Sequence, residues 1–543
     1  MGSYTPRLNL YKPAIGETDW GDEVNQNFDK MDKVVHILRS FGSTGANVND
    51  LTFSKKAICR PFMLANTKFT LHYDDFIIER FHYITVDEGS PSVSRSYQDG
   101  VYHVEYSSSG AQYYRLLSSW RYPIFGAIMK ISDISDAHVQ CGLMTPDNSN
   151  RIVCIYSAIS NTFRIDERIV DSNYTRASKD LSTPPKYMLF AVVGKWAMIF
   201  HSDDGKNWIF GAKATLEQDL RDDATKNNLY PYFGGGSSAG YYEVDEIRFF
   251  IPLGVGYRDI KMVTDIFGNP IHINGKYYYT INTRIGGESE VPCAISVVYS
   301  FDPTTFEFNP ESVIFSKRDG NVINDYVTHL AYDPRNGKWL VLQSTWGTFD
   351  STNSVDIYIG TTTNNILRGI HIVELSKLNL PISTSSYDPT LIFTNDKYYL
   401  ACVVTDSKTA PWSYGVYLFE STDLNTWSQV ASYTPSGCSE GPIFCKIGGT
   451  WYIVASKGTN TIVVLSFPDL TEVRTISVDT GHHQPWGGIF PMLKDGKTRY
   501  YLLTPDEETA IVGGVDLGNT AGSIHIYESD QAYDGYEYDI TSM

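Results

Sequence analysis

Apolar and polar residues alternate at every second position through most of this chain, the period of strands with one buried face. Gly100-Val101-Tyr102-His103-Val104-Glu105-Tyr106 and Arg151-Ile152-Val153-Cys154-Ile155-Tyr156 show it between about 65 and 252, with turn clusters between such runs. Ser202-Asp203-Asp204-Gly205-Lys206-Asn207-Trp208 reads as a hairpin, where Asp-Gly supplies the tight turn and the Trp returns the chain to a strand face. Tyr241-Tyr242-Glu243-Val244-Asp245-Glu246-Ile247-Arg248-Phe249-Phe250 closes this region as a strand. The helical pattern lies near the start. Pro6 and Pro13 keep residues 1 to about 18 extended, Asp19 is suited to cap a helix, and Asp22 and Glu23 in its first turn suit the dipole. Val24, Phe28, Met31, Val35 and Leu38 follow 4-3-4-3 spacing, a seam of about two heptads. Alone it is too short to be stable, so it is expected to form in an oligomer or against a partner.

Beyond Ile251-Pro252-Leu253-Gly254 the pattern repeats. A turn followed by an aromatic strand recurs as Gly275-Lys276-Tyr277-Tyr278, Gly337-Lys338-Trp339, Asp396-Lys397-Tyr398-Tyr399, Gly449-Thr450-Trp451-Tyr452 and Thr498-Arg499-Tyr500-Tyr501. The intervals are roughly 62, 59, 53 and 49 residues. A second element follows each, among them Glu420-Ser421-Thr422-Asp423-Leu424-Asn425-Thr426-Trp427 and Ser466-Phe467-Pro468-Asp469-Leu470. Five copies of a four-strand unit predict a five-bladed β-propeller.

Composition narrows the function. With 543 residues, two or three domains are expected. The formal charge of −18 argues against nucleic acid and against anionic membranes. Aromatic residues make up 14% of the chain, which favours strands and also suits sugar faces. Seven scattered cysteines without a C-x-x-C pair indicate neither zinc nor a disulfide framework. No secretory signal is read at the N-terminus, and the most apolar run, Met188 to Phe200, is too short to span a bilayer.

The opening Tyr4-Thr5-Pro6-Arg7-Leu8-Asn9-Leu10-Tyr11-Lys12-Pro13, with Gly16-Glu17-Thr18-Asp19-Trp20-Gly21 and Asn27-Phe28-Asp29, resembles the virion-anchoring segment of tailed-virus fibre and receptor-binding proteins over about 40 residues. That resemblance implies contacts with other tail or capsid proteins through residues 1–40, a homo-oligomer with a trimer favoured, and a virion protein made in the host cytoplasm. The length and strand rhythm of residues 65–252 resemble a concanavalin-like β-sandwich, or jelly roll. The fold expected is therefore mainly β: a leader and oligomerising helix over 1–45, a linker over 46–64, the sandwich over 65–252 and the propeller over 258–543.

Asp388-Pro389-Thr390, Glu440-Gly441-Pro442 and the Ser421–Trp427 hairpin resemble phrases of glycoside hydrolase family 43. That family brings three carboxylates from three blades to one cleft as base, orienting group and general acid, and hydrolyses with inversion. The resemblance puts Asp388 in the orienting slot and Glu440 in the acid slot. At the expected place of the base stands Asn269-Pro270-Ile271, and an amide cannot take a proton from water. Asp265, four residues earlier, substitutes only if the loop is re-registered. His483, from Gly481-His482-His483-Gln484-Pro485-Trp486, is the preferred channel histidine, and Trp486, Trp412 and Trp346 are candidate sugar platforms. No cofactor is implied, although the resemblance allows a structural calcium or other ion in the channel. The expectation is a virion protein that attaches the particle to a host-surface glycan and leans away from catalysis. The alternatives are an inverting hydrolase of surface polysaccharide and a purely structural capsid or tail decoration.

Overall fold

The computed structural model describes residues 3–4, 11–12, 46–59, 65–76, 83–89, 91–284, 293–350, 353–405, 413–435, 438–482, 485–506, 511–512, 515–516 and 522–534. The expected coiled-coil helix, Trp412 and His483 lie outside them. The described chain is mainly β, with a propeller-like arrangement of curled sheets.

Thirteen strands between Thr70 and Phe250 form one hydrogen-bonded set. Its spine is a pair of 21-residue strands, Ile124–Met144 and Tyr230–Phe250, antiparallel along nearly their whole length. Three register shifts in this pairing bend the ribbon, so its two halves serve different neighbours. Ile124–Lys130 pairs with Tyr187–Val193, whereas His138–Met144 pairs with Arg151–Ser157. The apolar run from Met188 to Phe200 is a hairpin interior. Val193 opposes Trp196 across Gly194, whose φ of +54° suits a residue without Cβ. The expected hairpin at Ser202–Trp208 joins two paired strands, and Asp204 holds its turn by accepting from the Lys206 and Asn207 amides at 2.8 and 2.7 Å.

Residues 256–534 build sheets in chain order: 256–318, 326–362, 386–433, 443–477 and 488–529. The aromatic hairpins join neighbouring antiparallel strands of these sheets. Asn274-Gly275, Asn395-Asp396, Gly448-Gly449 and Asp495-Gly496 have both central φ values positive, the backbone that a two-residue hairpin loop requires. Within the segment expected as linker, Phe53–Cys59 is a strand. It pairs with Ile524–Ser529 and so supplies the outer strand of the last sheet. Val48 and Leu51 are buried beside it, and Arg474 donates to the Leu51 carbonyl at 2.8 Å. The first unit is thus inserted between two segments that pair with each other, and the chain locks the last sheet across it.

The two units also meet through polar groups. Arg221 donates to the Gly347 carbonyl at 2.7 Å, and Asp223 accepts from the Val322 amide at 2.8 Å while ion-pairing with the buried Lys226. Next to this contact Asp325 is fully buried and accepts from Ser316 Oγ at 2.6 Å, from Arg318 at 2.6 and 3.0 Å, and from the Gly347 amide at 3.1 Å. It fixes the turn Thr345–Thr348 that carries Trp346. Asp325→Ala leaves the buried Arg318 guanidinium with only the exposed Asp319 carboxylate at 3.0 Å and Thr348 Oγ1 at 2.8 Å, so chemical denaturation of this variant is expected to show a loss of about 3 kcal/mol.

Candidate active site

The site begins with a backbone irregularity repeated in three successive sheets. In the first strand of each, the pairing slips by a residue: between Arg258 and Lys261, between Tyr326 and His329, and between Tyr387 and Thr390. At each slip one residue is left-handed: Asp259 at φ +52°, Val327 at +59° and Asp388 at +59°. A bulge re-aims side chains that strict alternation would send to one face or the other. A β-branched residue is strained there, and Val327 keeps the conformation where the other two positions hold aspartates.

Asp259 and Asp388 are aimed at a common cavity of about 10 Å³, which Lys261, Gly441 and Trp486 also line. That is about the space one water needs. Asn282 Nδ2 donates to Asp259 Oδ2 at 2.8 Å, and Arg258 Nε lies 3.1 Å from the same oxygen. The Gly441 amide donates to Asp388 Oδ2 at 3.2 Å, and the Asp388 amide donates to Ser344 Oγ at 3.0 Å. Glu440 precedes the fourth sheet, and its amide donates to Ser456 Oγ at 2.9 Å. Its carboxyl accepts from the Tyr387 hydroxyl at 3.3 Å and from Trp486 Nε1. Lys261 donates to the Asp388 and Pro442 carbonyls at 3.3 and 3.2 Å.

These charges act on one another. Burial pushes the Asp388 carboxyl well above the ordinary range, and the Asp259 and Glu440 charges add to the rise while Lys261 and Arg258 offset part of it. Burial also raises Glu440, against the pull of Arg258 and the Trp486 hydrogen bond. Lys261 is lowered by burial, with Asp388 and Asp259 opposing. For Arg258 burial works downward, but Asp259, Tyr326, Glu440 and Asp388 outweigh it and the guanidinium is held charged. His329 is pushed down to about 3 by burial and then by Lys261, so it is neutral, with Nε2 at 3.1 Å from the Leu391 carbonyl. The arrangement keeps carboxyl protons available in a pocket that already holds a buried aspartate.

The sequence-predicted residues are placed as follows. Asp388 and Glu440 come together. Asn269 and Asp265 do not join them: the Asn269 amide and Nδ2 donate to Asp265 at 2.9 and 2.8 Å, inside the turn between Thr264 and Pro270. On the first sheet it is Asp259 that lines the cavity with Asp388. Nine residues separate Asp388 from Lys397, but seventeen separate Asp259 from Lys276, because the 264–273 excursion intervenes. The legible signal was Asp259-Ile260-Lys261-Met262 beside Asp388-Pro389-Thr390-Leu391, an acid followed by the same apolar-polar-apolar order. Trp486 is buried. Its indole N–H is spent on Glu440 and its face lies 4.2 Å from the Arg258 guanidinium, so it is a wall of the site and not an open platform. Trp346 stacks on Tyr326 at 6.3 Å and meets Tyr387 edge-on at 5.1 Å. His482, the neighbour of His483, is buried and packs edge-on against Trp486 at 4.4 Å. Among the described residues no three His, Cys, Asp or Glu side chains gather as a metal-binding group.

No protein-family model matches the chain, and no curated protein matches it. Solved structures similar to it are glycoside hydrolases and carbohydrate-binding modules. An alpha-L-arabinofuranosidase from Lactobacillus brevis is 13% identical with a TM-score of 0.38, over 52% of this chain and 95% of that one. A GH43 beta-xylosidase/alpha-arabinofuranosidase from a compost microbial metagenome is 16% identical with a TM-score of 0.35, over 53% and 94%. The carbohydrate-binding module CBM66 from Bacillus subtilis is 12% identical with a TM-score of 0.23, over 34% and 99%. Likeness of this degree carries no argument about activity.

Asp265 gives the site region a pH signature. Burial raises it from 3.8 to about 7, with the Asn269 hydrogen bonds opposing. The unfolded chain therefore ionises first, so stability present below the unfolded value is lost as pH rises from about 4 to about 7. The loss is on the order of 4 kcal/mol. Urea denaturation across that window is expected to show a slope of this sign, to which the raised Asp388 and Glu440 also contribute, and Asp265→Asn is expected to remove the share due to Asp265.

Proposed function

We propose that the cleft formed by Asp259, Asp388 and Glu440 degrades a glycan by inverting hydrolysis. One observation carries the reading: Asp259 and Asp388, from two sheets, line a water-sized cavity, and Glu440, from the approach to the fourth sheet, shares their electrostatic neighbourhood. Glu440, whose carboxyl is raised by burial, gives its proton to the glycosidic oxygen as that bond to the anomeric carbon breaks. Asp259, beside the cavity, takes a proton from the water that forms the new bond on the opposite face of the sugar. The products are an alcohol and a hemiacetal of inverted configuration. Proton exchange with solvent returns both carboxyl groups to their starting forms. Asp388 orients and tunes the other two, and Arg258 limits their mutual repulsion. The amide at the expected base position favours binding without turnover, and Asp259, a carboxyl beside the cavity, supports turnover.

The resemblance of residues 4–29 to virion-anchoring leaders supports a particle-borne protein that works on a host-surface glycan. In an oligomer, a trimer by that same resemblance, several clefts would engage one polymer and gain avidity. In this reading residues 65–252 are the jelly-roll sandwich, and the sheets of residues 256–534 are five blades, the last completed by Phe53–Cys59.

The test is release of reducing ends from arabinan, xylan, a neutral β-glucan and polygalacturonate. At least one substrate is expected to be cut, and Asp259→Asn and Glu440→Gln are each expected to lower kcat by about 10²–10⁴ while leaving the fold intact. No release from any of them by the unaltered chain would contradict hydrolysis.

A further inference from the structure

A trough of about 650 Å³ crosses the first unit, within the size range of about 300–1,000 Å³ typical of small-molecule sites. Strand alternation puts it on the face away from the core. Val139, Cys141, Ile152, Cys154, Phe163 and Ile165 point inward, and the neighbours His138, Gln140, Arg151, Arg164 and Asp166 point into the trough. Each of these lies on one of three adjacent, paired strands. Glu88 enters from the far side of the same sheet.

The polar groups are partly fixed by one another. Glu88 accepts from the Tyr113 hydroxyl at 2.6 Å, from Arg168 at 2.8 Å and from Arg151 at 3.3 Å. Arg164 Nε lies 2.9 Å from Asp166 Oδ2. Capacity is left over. Gln140 Nε2, Arg151 Nε and Asp166 Oδ1 are buried and have no hydrogen-bond partner among the described residues, although buried polar groups are nearly always paired. Gln140 and Arg151 are themselves more than nine-tenths buried, at 1% and 7% exposure. Unpaired donors and an unpaired acceptor are therefore built into the wall of one trough.

We propose that this trough is a second saccharide site, which takes a neutral polyhydroxylated glycan segment and reads it by hydrogen bonds. Two guanidinium groups, Arg151 and Arg164, face two carboxylates, Glu88 and Asp166, so the lining has no net charge with which to hold a phosphate or a uronate. His138 adds none, since burial and then Arg164 and Arg151 push it down to about 4. Burial raises Glu88, but the Tyr113 hydrogen bond and Arg151 and Arg168 outweigh it, so that acceptor stays ionised. A sugar hydroxyl both donates and accepts, which matches a trough wall that carries an unpaired amide N–H and an unpaired carboxylate oxygen. Stacking is not the mode here. The face of Tyr113 is covered by Arg151 at 5.4 Å. The site is separate from the cleft of the second unit and does not depend on hydrolysis there.

The test uses the full chain carrying Asp259→Asn and Glu440→Gln, titrated calorimetrically with soluble arabinan, xylan, a neutral β-glucan and polygalacturonate. At least one neutral polymer is expected to bind, and Arg164→Ala is expected to weaken it tenfold or more. Arg164 is 37% exposed, so this substitution does not threaten the fold, and the near-isosteric Asp166→Asn is expected to act in the same direction. Failure of the unaltered chain to hydrolyse any glycan leaves this titration unaffected. The site is overturned if no neutral polymer binds, if the trough variants weaken polygalacturonate more than any neutral polymer, or if both trough variants bind as well as their parent.

Discussion

Burying Asp259 and Asp388, with the half-buried Glu440 close by, around one arginine and one lysine is the constraint that the second unit answers to. Charges taken out of water must be paired, hydrogen-bonded or neutralised. The protein does all three. Lys261 and Arg258 supply positive charge, Asn282, Tyr387, Trp486 and the Gly441 amide supply hydrogen bonds, and the raised Asp388 and Glu440 carboxyls keep protons to higher pH. An acid that holds its proton beside a base that can take one is the minimum for acid–base chemistry on a glycosidic bond. The electrostatic cost of the site and its chemical capacity are therefore one fact.

Geometry at that site is a property of the whole ring of sheets. Asp259 comes from the first sheet, Asp388 from the third, Glu440 from the approach to the fourth and Trp486 from the approach to the fifth. No local element can hold them together. The strand Phe53–Cys59 closes the last sheet from the far side of an inserted unit, and Arg221, Asp223 and Lys226 pin that unit beside the Asp325–Arg318 pair. Distant pairing of this kind costs loop entropy and returns rigidity where three sheets must keep one spacing. The strained Val327 shows that the bulge belongs to the scaffold and not only to the two aspartates.

What the sequence disclosed follows from how local each signal is. The aromatic hairpins were legible because Asn-Gly, Asn-Asp, Gly-Gly and Asp-Gly loops dictate their own backbone. Asp388 and Glu440 were legible because Asp-Pro and Glu-Gly-Pro stand at matching distances from those hairpins. Asp259 was not. It has no proline after it, and the 264–273 excursion moves its hairpin out of step, while Asn269-Pro270 stands closer to the spacing of the other openers. The bulge that turns Asp259 and Asp388 inward breaks the alternation on which sequence reading depends. Phe53–Cys59 was hidden for another reason: its partner lies more than 460 residues away. The trough was hidden because charges on the outer face of an alternating strand read as solvent-facing until neighbouring strands bring them together.

The most direct test of the account is the anomeric configuration of the first product, followed by proton NMR from the moment a cleavable glycan is mixed with the protein. A water held beside Asp259 opposite the leaving group predicts that the inverted anomer accumulates first and that the retained anomer appears only as mutarotation proceeds. A retained anomer as the initial product would contradict the roles given to Asp259 and Glu440.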